Sequence, residues 1–187
     1  MAYIITILGA TVTIALLNFL YDGVYSFVAF GSLLFFTFLG VLAVIAIDGV
    51  LAFIVRRMPE RWFAPGKKIF SVPKWEKKQY RKLKINSWKK FVPELGCFTG
   101  FHKDKVENKG DSDYLARFLL ESNYGAVGHV MGAIFGFGIL FLPFLRPLGM
   151  GLPIAIVNFV LSMLPTFILR ANTPTLTRLW KRSLGKQ

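Results

Sequence analysis

The sequence has few of the residue types that most often hold metals or act as nucleophiles. Its 187 residues include one cysteine, Cys97, and two histidines, His102 and His129. A single cysteine excludes an intrachain disulfide, and we interpret Cys97 as an ordinary reduced thiol despite the nearby His102. There is no zinc-ligand spacing, glycine-rich phosphate loop or nucleophile elbow. We therefore expect no metal site and no resident cofactor.

Acidic residues are also scarce. Ten Asp and Glu stand against 23 Lys and Arg, which gives a formal net charge of +13, yet 54% of the residues are hydrophobic. High hydrophobicity and high charge are compatible only if the two kinds of residue are separated along the chain. They are separated: no Lys or Arg precedes Arg56, and residues 56–117 hold seventeen Lys and Arg against seven acids.

Four apolar runs are long enough to cross a bilayer, whose ~30 Å of hydrocarbon needs about 20 helical residues. They are residues 2–20, 24–55, 124–145 and 148–169. We interpret the first as a membrane helix and not as a cleavable signal, because no basic residue precedes it. The second is longer than one crossing. It either tilts and projects or breaks at Asp48-Gly49, and we expect Asp48 near the headgroups.

These runs predict an all-α, polytopic membrane protein, organised as a single domain over residues 1–187 with about four transmembrane helices. The loop of residues 56–117 connects the second and third helices. With an even number of spans, both termini and this loop lie on one side, and that side carries every Lys and Arg except Arg146. The positive-inside rule predicts that this side is cytoplasmic and that the protein lies in the cell membrane.

The basic loop is rich in aromatic residues. Trp and Tyr rings prefer the headgroup level, and basic side chains attract anionic lipid, so the loop could simply lie on the inner membrane surface. Alternatively, it covers a site there that holds a phosphate-bearing substrate. A basic and aromatic strip would also suit nucleic acid, but membrane attachment makes lipid the simpler partner, and we expect no nucleic acid. The aromatic residues are Trp62, Phe63, Phe70, Trp75, Tyr80, Trp88 and Phe91.

Three polar residues lie in or beside the apolar runs, where polar groups are rare and usually functional: Glu121, His129 and Asn158. Positions i−4, i+3 and i+7 from His129 share its helical face, and all three are glycines: Gly125, Gly132 and Gly136. This strip either permits close helix packing or leaves a groove for an acyl chain with His129 at its end.

Glu121 cannot form a direct dyad with His129, since eight helical residues separate them by ~12 Å. It either acts in catalysis separately or pairs with Arg170 in a structural ion pair. The basic residues that follow the fourth run are also open to two interpretations. Arg170 and Arg178 could bind phosphate or carboxylate, or they could anchor the last helix by the positive-inside effect.

The order of several segments resembles the glycosyl-4,4'-diaponeurosporenoate acyltransferase family, small bacterial membrane proteins of carotenoid glycolipid synthesis. The resemblance covers about the last two-thirds of the chain and rests on the order and spacing of the segments. The segments are Pro59 to Phe63, Phe70 to Lys77, Ser87 to Glu94, Phe118 to His129 and Asn158 to Arg182.

The resemblance implies transfer of a fatty acyl group from an acyl thioester, with acyl-CoA as co-substrate, to a sugar hydroxyl on a lipid-linked acceptor. It also implies functional positions. Glu121 and His129 match the family's Glu and His, Trp88 and Lys89 match its Trp-Lys pair, and Arg170 and Asn172 match its tail Arg and Asn.

We therefore expect a membrane O-acyltransferase in which Glu121 and His129 are catalytic, with His129 as the base for the sugar hydroxyl. Asn158, Asn172 or Lys89 could supply donors to the oxyanion, and loop cations would bind the donor's phosphates. The expected partners are membrane lipids, the acyl donor and the acceptor. The alternative is a non-enzymatic lipid-binding or membrane-assembly subunit. The substrate-binding candidates are Trp88, Lys89, Asn158, Arg170, Asn172 and Arg178.

Overall fold

The computed structural model describes residues 2–23, 25–92 and 110–185. Across these residues the chain is helical and contains no strand. Four of the helices are long and apolar enough to cross a membrane: Ile4–Asp22, Phe27–Arg57, Ser112–Phe141 and Pro147–Leu184. The prediction of an all-α protein with about four membrane-crossing helices is confirmed, and such helices fit a membrane location.

Seven α-helices occur in the described residues. They are α1 (Ala2–Asp22), α2 (Phe27–Arg57), α3 (Glu60–Phe63), α4 (Lys74–Lys82), α5 (Ile85–Trp88), α6 (Ser112–Phe135) and α7 (Leu152–Leu184). Short 3-10 segments lie at Lys68–Phe70, Lys89–Phe91 and Gly136–Phe141, and a π-helical turn at Pro147–Gly151 precedes α7.

The helix α2 continues through Asp48-Gly49 without a break. Of the two alternatives for this long apolar run, the structure has the unbroken helix. Asp48 is half-buried on it and accepts a hydrogen bond from Asn158. The carboxyl group is therefore engaged with another apolar helix.

The helix α6 begins at Ser112, well before the predicted start of the third apolar run at residue 124. Asp111 caps it by accepting hydrogen bonds from the backbone N–H groups of Asp113 and Tyr114 at 2.9 and 3.1 Å. Its first turns are amphipathic and not uniformly apolar. For this reason a search for uncharged runs does not detect them.

The basic residues after the fourth apolar run are helical as well. The helix α7 runs to Leu184 although Pro165 and Pro174 lie inside it. Proline removes one backbone donor and usually ends or kinks a helix. Here burial of Leu169 and Leu176, on either side of Pro174, favours continuation of the helix.

The chain divides into two compact units. Unit 1 comprises Met1–Phe53 and Gly128–Met163, and unit 2 comprises Ile54–Val127 and Leu164–Gln187. The hydrophobic core of unit 1 draws on α1, α2, α7 and the segments before α7: Ile14, Ala15, Leu33, Val41, Val44, Ile139, Leu145, Met150, Ile154 and Ala155. The core of unit 2 includes Phe118, Leu119 and Leu176, with Tyr114 and Trp180 packed against them.

Polar contacts also join the elements of unit 1. The Asn18 amide of α1 donates to the Gly149 carbonyl at 2.7 Å, and a side chain at residue 149 would collide with Asn18. At the end of the same helix, Arg146 donates to both carboxylate oxygens of Asp22 at 2.6 and 2.7 Å. This ion pair raises the pKa of Arg146.

Candidate functional site

Unit 2 contains a groove of about 770 Å³ between α4, the start of α5 and the second half of α7. Five of its lining residues are cationic and none is acidic, and several hydroxyl groups stand among the cations. The cations are Lys77, Arg81, Lys84, Arg178 and Lys181, and the residues with hydroxyl groups are Ser71, Tyr80, Thr173 and Thr177. A concave surface with this lining can bind a ligand with several negative charges.

Helical spacing places these cations on the groove. Lys77 and Arg81 are four residues apart on α4, and Arg178 and Lys181 are three apart on α7, so each pair occupies one helix face. Lys84 follows α4 with a backbone φ of 49°. A left-handed conformation is unfavourable for a residue with a side chain, and such residues cluster at functional sites.

A buried carboxylate fastens α4 to α7 beside the groove. Arg170 donates from Nε to Glu76 Oε1 and from Nη2 to Glu76 Oε2, the latter at 2.7 Å, and Tyr80 donates its hydroxyl to Oε1. Burial alone would raise the pKa of Glu76, but the hydrogen bonds from Arg170 and Tyr80 outweigh it and hold that pKa below its usual value. Burial and the contact with Glu76 raise the pKa of Tyr80.

The contact between Arg170 and Glu76 bears on the question of whether Arg170 pairs with Glu121, which the sequence left open. Arg170 does not pair with Glu121, which instead binds Arg56 through Oε2 and Arg117 through Oε1, the latter at 2.9 Å. Arg117 also reaches Glu60 at 3.2 Å. The side chain of Glu121 is only 10% exposed, and both of its oxygens are held by arginines. Because both oxygens are engaged by arginines, these contacts favour a structural role for Glu121.

The segment after α2 is fastened to α6 by two further hydrogen bonds. The Asn123 amide donates to the Phe63 carbonyl at 2.8 Å, and the Tyr124 hydroxyl donates to the Met58 carbonyl at 2.9 Å. The Phe63 and Tyr124 rings stack with centroids 4.1 Å apart. Part of the basic loop is thus packed and hydrogen-bonded, whereas Trp62 and Trp75 remain exposed.

In unit 1, His129 lies half-buried on α6. Along its glycine strip, a side chain at Gly132 would come within 2.5 Å of Asp48 Oδ1, and one at Gly136 within 2.5 Å of Asn158 Nδ2. Asn158 donates to the Gly132 carbonyl at 3.2 Å and to Asp48 at 3.5 Å. At Gly132 and Gly136 the strip therefore permits close packing of polar side chains from other helices. Of the two alternatives, close packing or a groove for an acyl chain, these two glycines fit the first.

The remaining predicted residues are dispersed. Of the eight candidates, only Arg178 lines the groove. The Trp88 indole donates to the Leu83 carbonyl at 2.8 Å, and Lys89 and Asn172 are half-buried on their helices. Cys97 and His102 lie outside the described residues.

Sequence reasoning missed Glu76 and Tyr80 as partners of Arg170, and it missed the groove. The i, i+4 spacing of Glu76 with Tyr80 and of Lys77 with Arg81 is visible in the sequence, and it predicts two different faces of one short helix. The pairing of α4 with α7 joins residues 94 positions apart and has no local signal.

The helices and these polar sites define the chain as a polytopic helical membrane protein with a cationic groove in one unit and a polar cluster between apolar helices in the other. A family model described as glycosyl-4,4'-diaponeurosporenoate acyltransferase matches residues 59–182, about two-thirds of the chain. The chain belongs to this family, and the predicted resemblance is confirmed. A search of curated proteins and a search of solved structures each found no match.

This family is an acyltransferase family of carotenoid glycolipid synthesis. The matched range includes the groove, the Glu76–Arg170 contact and His129. It begins at Pro59, so α1, α2 and Asp48 lie outside it.

Proposed function

We propose that this protein transfers a fatty acyl group from an acyl thioester to a sugar hydroxyl of a lipid-linked acceptor. The cationic groove of unit 2 carries this proposal. Acyl-CoA presents a diphosphate and a further phosphate on its nucleotide part, and five cations without a lining acid match those charges. The groove is larger than a single phosphate requires and lies in the range of ordinary ligand pockets, about 300–1,000 Å³.

In the proposed reaction the sugar oxygen attacks the thioester carbonyl carbon. A C–O ester bond forms and the C–S bond breaks, so the products are an acylated sugar and free coenzyme A. The hydroxyl proton passes to a base and then to the departing sulfur. We assign the base to His129, because a neutral imidazole can accept a proton near neutral pH.

A neighbouring pair of lysines tests the groove. Lys77 lines it, whereas Lys78 is the next residue of α4, is exposed and does not. Lys77→Glu should raise the KM for acyl-CoA about tenfold or more, since one reversed charge near several phosphates costs at least ~1.4 kcal/mol of binding. Lys78→Glu carries the same charge change and should leave this KM within about twofold of wild type.

The assay uses purified protein in nanodiscs, radiolabelled acyl-CoA and a glycolipid acceptor. The KM of wild type for acyl-CoA should also rise with salt, because screening weakens contacts with exposed cations. Equal donor KM values for the Lys77 and Lys78 variants would remove the groove from the proposal. A protein that purifies with a stoichiometric partner and makes no acylated product would instead favour the non-enzymatic alternative.

We further propose that both termini and the basic loop face the cytoplasm. The basic residues support this orientation, since Arg146 alone lies in the opposite turns and is bonded to Asp22. In a Cys97→Ser background, an impermeant maleimide should label Leu148→Cys but not Lys67→Cys in intact cells. The reverse labelling pattern would overturn the orientation.

A further inference from the structure

Among the described residues, Asp48 differs from the other acidic residues that are buried or half-buried. Asp22, Glu76 and Glu121 each pair with arginine. Asp48 lies within the apolar helix α2, and its partner in the described residues is the Asn158 amide at 3.5 Å, with no cation bonded to it there. A carboxylate can accept about four hydrogen bonds. A carboxyl group within a membrane helix costs free energy, and the few that occur are usually functional.

The surroundings of Asp48 are rich in acceptors. The carboxyl group lies against Gly132 and accepts from the Asn158 amide, and the same amide also donates to the Gly132 carbonyl. The carboxyl group can approach this closely because residue 132 is a glycine: a Cβ there would lie only 2.5 Å from Asp48 Oδ1. We call Asp48, Asn158 and the Gly132 carbonyl the Asp48 cluster. It offers acceptors to a ligand and contains no cation, so it suits neutral O–H donors and not anions.

The wall next to the cluster is apolar. Asn158 also lines a small cavity of about 30 Å³ whose other lining residues are all apolar, among them Ile14, Val44 and Ile154. A polar group at the edge of an apolar wall is suited to an amphiphile, with its hydroxyls at the cluster and its hydrocarbon along the helices.

The cluster also lies close to the proposed base along α6. Gly132 is three residues after His129, a rise of about 4.5 Å, and both positions share one helix face. A hydroxyl group bound near Gly132 would therefore lie about one helical turn from the backbone of His129.

From these observations we propose that the Asp48 cluster is a binding site for sugar hydroxyls of an amphiphilic acceptor, with Asp48 accepting hydrogen bonds from the sugar. The identity of this ligand as the acyl acceptor rests on the proposed function, whereas binding of a sugar amphiphile does not. Asp48 lies outside the range matched by the family model, whereas Gly132 and Asn158 lie inside it.

The test compares Asp48→Asn with Asp22→Asn. Both variants remove one negative charge from unit 1 at constant shape, but Asp22 pairs with Arg146 and is not part of the Asp48 cluster. In the acyl-transfer assay, Asp48→Asn should raise the acceptor KM about tenfold while the acyl-CoA KM stays within about twofold. Asp22→Asn should leave both constants near wild type. An unchanged acceptor KM in Asp48→Asn, or an equal rise in both KM values, would overturn the proposal.

A binding measurement separates this proposal from the proposed function. Octyl-β-glucoside is added to the protein in nanodiscs and its sugar protons are observed by saturation-transfer NMR. Wild type should show transfer to the sugar protons, and Asp48→Asn should lose most of it. If that difference is present but no acyl group is transferred, the site stands and the acyltransferase proposal fails. If acyl transfer occurs and both proteins give the same signal, the site fails alone.

Discussion

Unit 1 and unit 2 both contain amide-to-carbonyl bonds and ion pairs, since Asp22 pairs with Arg146 in unit 1 and Asn123 donates to a carbonyl in unit 2. The emphasis differs between them. In unit 1, Asn18 and Asn158 donate to the backbone carbonyls of Gly149 and Gly132, and a missing side chain makes each approach possible. In unit 2, Glu76 and Glu121 are held by arginines. Amide-to-carbonyl bonds need no counter-ion and suit an apolar environment, whereas carboxylate–arginine pairs neutralise charges that would be costly to bury alone.

The comparison also suggests a division of labour. Unit 1 contains His129 and the Asp48 cluster, which we assign to proton transfer and acceptor binding. Unit 2 contains the cationic groove, which we assign to the acyl donor. Changes in unit 1 should therefore alter kcat or the acceptor KM, and changes in the groove should alter the donor KM.

The largest expected effect comes from His129→Ala. Loss of a general base typically costs 10² to 10⁴-fold, so kcat should fall at least about 100-fold while the donor KM changes little. The chain's other histidine supplies the control, and His102→Ala should retain wild-type kcat. Normal turnover by purified His129→Ala would show that His129 is not the base, and the assignment of proton transfer to unit 1 would then fail.

Gly132→Ala tests the packing of unit 1. Its Cβ would collide with Asp48, and overpacking of this kind costs roughly 1–3 kcal/mol, so the thermal midpoint in detergent should fall. Gly128 is on the same helix with nothing within 4 Å of a built Cβ. Gly128→Ala should therefore be neutral or stabilising by about 0.5–1 kcal/mol, the usual gain over helical glycine. Equal midpoints for the two variants would contradict the close approach.

Glu76→Gln tests the fastening of unit 2. It removes charge-assisted bonds from Arg170 and should cost about 1–3 kcal/mol. Glu60→Gln breaks an ion pair whose side chains are 66% and 61% exposed and should cost about 0–1 kcal/mol. The midpoints of the two variants should differ accordingly, and similar losses would mean that Glu76 is no more important than a surface residue.

The same residue gives a pH dependence. Because folding lowers the pKa of Glu76 from its ordinary value of 4.5, its contribution is complete above that value and is lost as the pH falls through the lower pKa of the folded protein. Wild type should therefore lose more stability than Glu76→Gln on acidification below about pH 4.5. Parallel acid profiles for the two proteins would contradict the assigned contacts.

The smallest effect is expected for the exposed ion pair of unit 1. Asp22→Asn removes the pair with Arg146, whose side chain is 52% exposed, and should cost only about 0.2–1 kcal/mol. Added salt should mask even this loss, so the difference in midpoint between variant and wild type should shrink at high ionic strength. A large loss that persists in salt would show that ion pairs matter as much in unit 1 as in unit 2.

Much of the fold follows from hydropathy alone. An uncharged run such as residues 2–20 predicts α1, because a bilayer admits few other structures. The start of α6 could not be found in this way, since Arg117 and Glu121 interrupt the apolar pattern; in the structure these two residues form an ion pair. The helical continuation of α7 past Pro174 depends on burial of Leu176, which a proline rule does not include.

The candidate site was less predictable. The sequence pointed to His129 and Asn158 because polar groups in apolar runs are rare, and it identified the glycines that share the helical face of His129. It could not pair Glu76 with Arg170 or Asp48 with Asn158, because side chains from distant segments meet only once the helices pack. The sequence placed Asp48 near the headgroups, which stays a prediction, but it gave no sign of the contacts with Asn158 of α7 and Gly132 of α6.

The central claim is that this chain acylates a glycolipid, and lipid mass spectrometry of whole cells tests it most directly. Cells with wild-type protein, with His129→Ala and without the protein are compared under the same conditions. We predict that an acylated glycolipid present with wild type is absent from the other two, while its unacylated precursor accumulates in them. Identical glycolipid profiles in all three would contradict the claim.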